Sequence, residues 1–233
     1  MSMNMTDYRR GAVRPVECLQ EGWNMIRERY WLFFGITLVG VLIASAVPMA
    51  ILLGPMMCGI YLCLLRRRQG APVTFEMLFK GFDYFVEGLI AGLIQLVPVL
   101  VLMIPFYVVL FAGMMSMEAT VRRGGGPPVG FFMLLGGVTL GMMVVATIVG
   151  ALFIFTFPLI VDRKLSGLEA VKTSVRAVFG NLGGVIGLLL LNMFCGIVGV
   201  LLCYVGAFLF MPVGLAGWVI AYEQVFGIRA DYM

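Results

Sequence analysis

Apolar and polar positions along this chain segregate into long blocks. No Asp, Glu, Lys or Arg occurs in residues 30–65, 88–117, 124–161 or 177–222. A bilayer span needs roughly 20 predominantly apolar residues, so each block is long enough to cross. Residues 88–117 and 124–161 predict one long helix each, tilted or kinked. The block 177–222 holds 46 residues. At a rise of about 1.5 Å per residue it overshoots a hydrocarbon core of about 30 Å more than twofold, so it must fold back. Tyr204-Val205-Gly206 offers the turn, with Met211-Pro212 inside the returning helix. The block 30–65 is either one overlong helix or two short spans turning near Ala46-Val47-Pro48.

Charge decides between them. With six spans, four groups of cations share one side. These are Arg9, Arg10, Arg14, Arg27 and Arg29; Arg66, Arg67, Arg68 and Lys80; Arg163, Lys164, Lys172 and Arg176; and Arg229. That sets 14 positive residues against Arg122 and Arg123 opposite. The positive-inside rule then puts both termini in the cytoplasm. The expected fold is an all-α integral membrane protein with six transmembrane helices as three hairpins. Residues 1–14 form a cytoplasmic tail, and residues 15–233 a single membrane domain. Met1 to Val13 has no apolar core of a signal peptide, so the first span is expected to be the targeting signal.

Each hairpin is preceded by a segment with the pattern of a cytoplasmic amphipathic interfacial helix. Pro15 opens the first, where a missing N–H costs nothing, and Val16, Leu19, Trp23, Ile26 and Tyr30 form its apolar stripe. Trp23 is expected at headgroup depth. Thr74 can cap a second, with the stripe Phe75, Leu78, Phe82 and Phe85. Ser166 and Glu169 form a capping box for a third, with the stripe Leu168, Val171, Val175, Val178 and Leu182. The first and third stripes superpose at an offset of 152, and the second and third at 93; Pro55 and Gly70, like Pro212 and Gly227, stand 15 positions apart. Either the chain carries three copies of one unit, at about 15–69, 74–164 and 167–226, or segments before membrane spans resemble one another by physics alone.

Composition narrows the function. Hydrophobic residues make up 62% of the 233 positions and charged residues 12%, with a mean hydropathy of +1.06. Those values exclude a soluble enzyme and a disulfide-stapled secreted domain. The net charge of +4 lies in membrane-flanking clusters rather than on a nucleic-acid-binding face. There is no histidine, and the five cysteines read as small apolar fillers. No nucleophile–base pair, carboxylate pair or cofactor motif can be assembled, so neither catalysis, a cofactor nor a metal is expected. The candidate interhelical polar residues are Gln95 and Asn192. Gly88 with Gly92, and Gly183 with Gly187, have the spacing that lets helix backbones approach, as do Gly137 and Gly141. Pro98 and Pro105 kink one long helix. Residues 122–128 form an external loop. Arg66, Arg67 and Arg68 fix topology and, with Trp23, are candidate lipid-headgroup contacts.

Gly54-Pro55-Met56-Met57-Cys58-Gly59-Ile60-Tyr61, Met211-Pro212-Val213-Gly214, and above all Gly167-Leu168-Glu169-Ala170-Val171-Lys172-Thr173-Ser174 followed by Gly180-Asn181 resemble a loose superfamily of uncharacterised bacterial multi-pass inner-membrane proteins. That group includes the membrane domain attached to some glycerophosphodiester phosphodiesterases. The resemblance implies a fold and the bacterial cytoplasmic membrane, and carries over no phosphodiesterase activity. The expected role is an accessory or scaffold subunit whose partners are the bilayer and other membrane proteins or itself, with no nucleic acid. The alternative is a small permease or lipid-handling channel, which needs a continuous cavity.

Overall fold

The computed structural model describes residues 8–46, 51–122, 129–201 and 205–228, with their side chains except those of residues 46 and 119–121. The regular structure of these residues is all helical: α1 Pro15–Ile26, α2 Tyr30–Ala46, α3 Leu53–Arg68, α4 Phe85–Arg122, α5 Val129–Leu152, α6 Thr156–Arg163, α7 Gly167–Gly180, α8 Leu182–Leu201 and α9 Val205–Phe226. A 3-10 turn, Arg27–Arg29, joins α1 to α2, and a longer 3-10 segment, Phe75–Tyr84, precedes α4.

Among the described residues, five helical stretches are long and apolar enough to cross a membrane: Pro15–Ser45, Phe75–Glu118, Val129–Arg163, Leu182–Leu201 and Val205–Phe226. The remaining expected span, α3, has 16 residues and ends in three arginines. At about 1.5 Å per residue it falls short of a hydrocarbon core of about 30 Å.

Local sequence accounts for the boundaries. Pro15 occupies the first turn of α1, where its missing N–H is one of the unpaired donors anyway. Ser166 starts α7 by accepting the Glu169 N–H on its hydroxyl at 3.4 Å. Pro98 and Pro105 both lie inside the 38-residue helix α4. The block 124–161 does not continue as one helix: it breaks at residues 153–155, where the Ser174 hydroxyl accepts the Phe155 N–H and donates to the Leu152 carbonyl. The expected α-helix after Thr74 is instead 3-10, and Thr74 makes no side-chain cap. Residues 47–50, Tyr204 and the loop 123–128, on which two expected turns and the external loop fall wholly or partly, lie outside the described residues.

The chain divides into two compact units, Met1–Leu93 with Ala151–Met233, and Ile94–Gly150. In the larger one, α3 packs against both α6 and α9. The rings of Phe155, Tyr222 and Phe226 pack together at centroid distances of 5.1–6.5 Å. Around these closing helices the segments that precede each hairpin dock in a cyclic order. The 3-10 segment packs on α3, α7 on α6, and α1 on α9. The 3-10 segment and α7 each therefore cover the helix just before them in the chain, and α1 covers α9.

One position recurs at these contacts. The offsets of 152 and 93 align Gly22, Gly81 and Ser174. A Cβ on Gly22 would lie 2.7 Å from the Gly217 nitrogen, and one on Gly81 would lie 2.6 Å from the Gly59 nitrogen. Ser174 makes the hydrogen bonds at the α6 break. A second recurrence ends each closing helix: Gly70, Lys164 and Gly227 all have positive φ, at 77°, 52° and 69°. That left-handed residue stops the helix and turns the chain back.

Of the expected apolar stripes, Ile26, Leu78, Val171 and Val178 are buried in the protein, and Val16, Trp23, Phe75, Phe82 and Leu168 are exposed. In α1 the buried residues are Cys18, Gly22, Met25 and Ile26, while Val16 and Trp23 are exposed. In the 3-10 segment Leu78 and Gly81 are buried, and Phe75, Phe79 and Phe82 are exposed. In α7 Ala170, Ser174 and Ala177 face inward, and Leu168 and Phe179 outward. Small residues allow close backbone approach, so they take the protein side, and bulky apolar residues are left outside.

The smaller unit holds α4 from Ile94 onward and most of α5. Gly113 faces the Phe131 ring. No residue of α5 is buried.

Candidate functional site

The polar groups of the larger unit gather where the closing helices end. Arg68, last in α3, bridges two neighbours: its Nη2 lies 2.8 Å from Glu21 of α1 and its Nε 2.6 Å from Glu223 of α9. Burial works against its charge, but the Glu223 and Glu21 carboxylates outweigh that and hold Arg68 above the ordinary guanidinium range. Arg67 pairs with Glu28 at 2.5 Å and donates to the Met25 carbonyl at 3.0 Å. Deeper, the Tyr222 hydroxyl donates to Asp162 at 2.7 Å, both residues being buried. Arg163 donates to the Phe226 carbonyl at 2.6 Å and lies over the Phe226 ring.

The segment before α1 is tied into the same region. The Asn181 amide accepts the Ala12 N–H at 2.8 Å and donates to the Arg9 carbonyl at 2.9 Å. Gln224 accepts from the Arg14 backbone N–H and from Cys18 Sγ. Glu87 accepts the Gly167 N–H at 2.5 Å. These bonds hold elements together and leave no open reacting centre, and among the described residues no group of three His, Cys, Asp or Glu side chains could hold a metal ion.

The residues expected from sequence are dispersed. The Gln95 carbonyl oxygen is buried without a hydrogen-bond partner. Asn192 donates to Leu188 of its own helix at 2.9 Å, and its Oδ1 sits 2.5 Å from where a Cβ on Gly214 would be. Asn192 thus packs against α9. A Cβ on Gly88 would lie 2.9 Å from the Gly54 carbonyl carbon, and Gly92 is buried. A Cβ on Gly187 would lie 2.7 Å from the Pro15 ring. Gly183 requires a correction: it faces open space, and the close approach belongs to Gly184, whose Cβ would lie 2.5 Å from Cβ of Val13. Spacing counted the right turn of α8 but not which glycine faced inward. Of the three consecutive arginines, Arg67 and Arg68 are matched to glutamates, whereas Arg66 keeps a buried Nε with no partner.

Sequence reasoning missed Tyr222–Asp162, the Arg68 bridge and Asn181. The available signal was the presence of acidic residues Glu21, Glu28 and Glu223 at the same boundaries as the arginines.

Beside this polar region lies an apolar groove of about 680 Å³, bounded by α1 and Tyr30 on one side and by α8 and α9 on the other. Trp23 and Tyr30 stand together on its wall, with ring centroids 5.7 Å apart. The Tyr30 hydroxyl donates to the Leu209 carbonyl across it.

No family model matches this chain, and no solved structure does. The chain is similar to a protein of Mycobacterium bovis and to proteins from two strains of Mycobacterium tuberculosis, each described as uncharacterized. Identity is 25% over 235 residues in each case, covering 91% of this chain and 68% of the relative. Together with the five apolar helical stretches, these relatives point to a membrane protein of a bacterium.

Proposed function

We propose that the protein is a non-enzymatic, six-span component of the bacterial cytoplasmic membrane with both termini cytoplasmic, acting as an accessory or scaffold subunit of a membrane complex or homo-oligomer. In this reading α3 is the sixth span, its terminal arginines reaching the headgroup region and making up for its length. The observation that carries the proposal is the state of the glycines in α5. Gly130, Gly136, Gly137, Gly141 and Gly150 have nothing within 4 Å of where a Cβ would lie. In the larger unit Gly22, Gly54, Gly59, Gly81 and Gly88 each meet backbone. Helices associate in lipid through faces where small residues admit a second backbone, so α5 offers such a face to a partner helix.

The test is purification in mild detergent of the tagged protein and of the double substitution Gly137→Leu with Gly141→Leu. Loss of copurifying chains, or a fall in particle size, with unchanged thermal stability is the expected result. An intact complex would sink the scaffold reading. The permease alternative predicts instead that Gln95→Leu blocks transport; the aromatic cluster of Phe155, Tyr222 and Phe226 supports a packed body over a conduit.

A further inference from the structure

We propose that the groove between α1 and α8–α9 binds an anionic membrane lipid, with one acyl chain along the groove and the phosphate at Arg27. The proposal rests on the bilayer being the protein's surroundings and is independent of the scaffold role. The groove walls include Trp23 of α1, Leu191 of α8, and Leu209, Phe210 and Val213 of α9. Its polar side chains are Gln20 and Tyr30, and the Tyr30 hydroxyl is already bonded to Leu209. Such a lining offers almost nothing to a water-soluble ligand. Both α8 and α9 are long and apolar enough to cross a membrane, so the occupant that meets this surface is hydrocarbon.

Charge identifies the rest of the occupant. The Arg27 N–H donates to the Trp23 carbonyl, so the helical register of α1 runs on through Arg27, which falls between the wall residues Trp23 and Tyr30. Arg14, Arg67 and Arg68 are each matched to glutamates, and Glu28, the acidic neighbour of Arg27, is taken by Arg67. Arg27 itself is exposed and has no carboxylate partner among the described residues. An unpaired guanidinium one turn after an interfacial tryptophan, beside an apolar groove, complements a lipid phosphate with its acyl chain in the groove. A zwitterionic lipid presents the same phosphate together with a cation that Arg27 repels, so the preference is for an anionic headgroup.

The experiment reconstitutes the full chain in phosphatidylcholine vesicles doped with dibrominated phosphatidylglycerol or, separately, dibrominated phosphatidylcholine. Quenching at Trp23 is obtained by subtracting the signal of Trp23→Phe, which leaves the exposed Trp31 and the buried Trp218 in place. Phosphatidylglycerol is expected to associate about fivefold more strongly than phosphatidylcholine, the value of one interfacial charge. Arg27→Gln should abolish that preference and Arg27→Lys should keep most of it. Leu191→Phe, which narrows the groove, should reduce quenching by both lipids. Equal quenching by the two headgroups in the unmodified protein, as for ordinary annular lipid, overturns the proposal, as does a preference that survives Arg27→Gln.

Discussion

Gly22 of α1 lies directly against Gly217 of α9, so close that a Cβ on Gly22 would come within 2.7 Å of the Gly217 nitrogen and 3.0 Å of the Ala216 carbonyl carbon. Neither neighbour is the movable end of a side chain. Ala is the better helix former by about 1 kcal/mol, so a free glycine would gain from the change. At Gly22 the clash should win: Gly22→Ala is expected to destabilise by about 1–3 kcal/mol. Gly136→Ala, with open space around it, should be neutral or slightly stabilising. Unfolding of both variants in detergent micelles measures the contrast, and equal stability would mean that α1 is not docked this closely.

Gly183 and Gly184 make a second pair of opposites. Gly183→Leu should be accepted without loss of stability, because nothing lies beside it, while Gly184→Leu should push α8 away from Val13 and cost several kcal/mol or force repacking. Thermal unfolding of the two variants side by side is sufficient; a destabilised Gly183→Leu would contradict the observed facing of α8.

The buried Tyr222–Asp162 hydrogen bond should be worth about 1–2 kcal/mol, less than a charged bond in a soluble core because a membrane-inserted chain finds other partners when unfolded. Tyr222→Phe removes the donor and keeps the ring against Phe226. A double-mutant cycle with Asp162→Asn should show non-additive losses, and additive losses would show that the bond contributes nothing of its own.

Lys164 holds the left-handed turn that glycine holds at Gly70 and Gly227. A side chain costs roughly 1 kcal/mol in that conformation. Lys164→Gly should therefore raise stability by up to about 1 kcal/mol, and Lys164→Val should lower it. A stabilising valine would mean that the left-handed geometry is not kept.

Topology has its own check. Gly125→Cys should react with an impermeant thiol reagent in intact spheroplasts when Cys195 and Cys203 are replaced by Ala. Cys18, Cys58 and Cys63 can stay, since all three are buried. Protection of the new thiol until the membrane is permeabilised would reverse the proposed orientation.

The order of helices and several of their boundaries were legible in the sequence because they depend on local signals. Pro15 and Ser166 begin helices where their backbone and side-chain chemistry requires, and the charge-free runs set helix lengths. The inward faces were not legible. The apolar stripe Val16, Leu19 and Trp23 marks the face expected to meet the bilayer, and hydrophobicity alone does not say which residues beside it meet the protein. Beside hydrocarbon bulky apolar residues have no reason to hide, and contact is marked by Gly22 and Cys18 instead. Gly81 and Ser174 carried the same signal at the same repeat position. The polar ties were hidden for a different reason: Arg68 meets Glu21 and Glu223 across separations of 47 and 155 residues, which no local pattern encodes.

The cyclic docking order has a consequence for biosynthesis. α1 leaves the ribosome well before α9, yet the surface it covers belongs to α9. The 3-10 segment and α7, in contrast, follow immediately after the helices they cover. Two of the three clasps can close as soon as neighbouring segments have emerged, while the clasp between α1 and α9, joined by the Arg9 N–H to the Val225 carbonyl at 2.8 Å, must wait until α9 has been made. A chain cut short before α9 would leave the face of α1 around Gly22 bare, giving membrane proteases a ready means of recognising a molecule in which the two helices have not met.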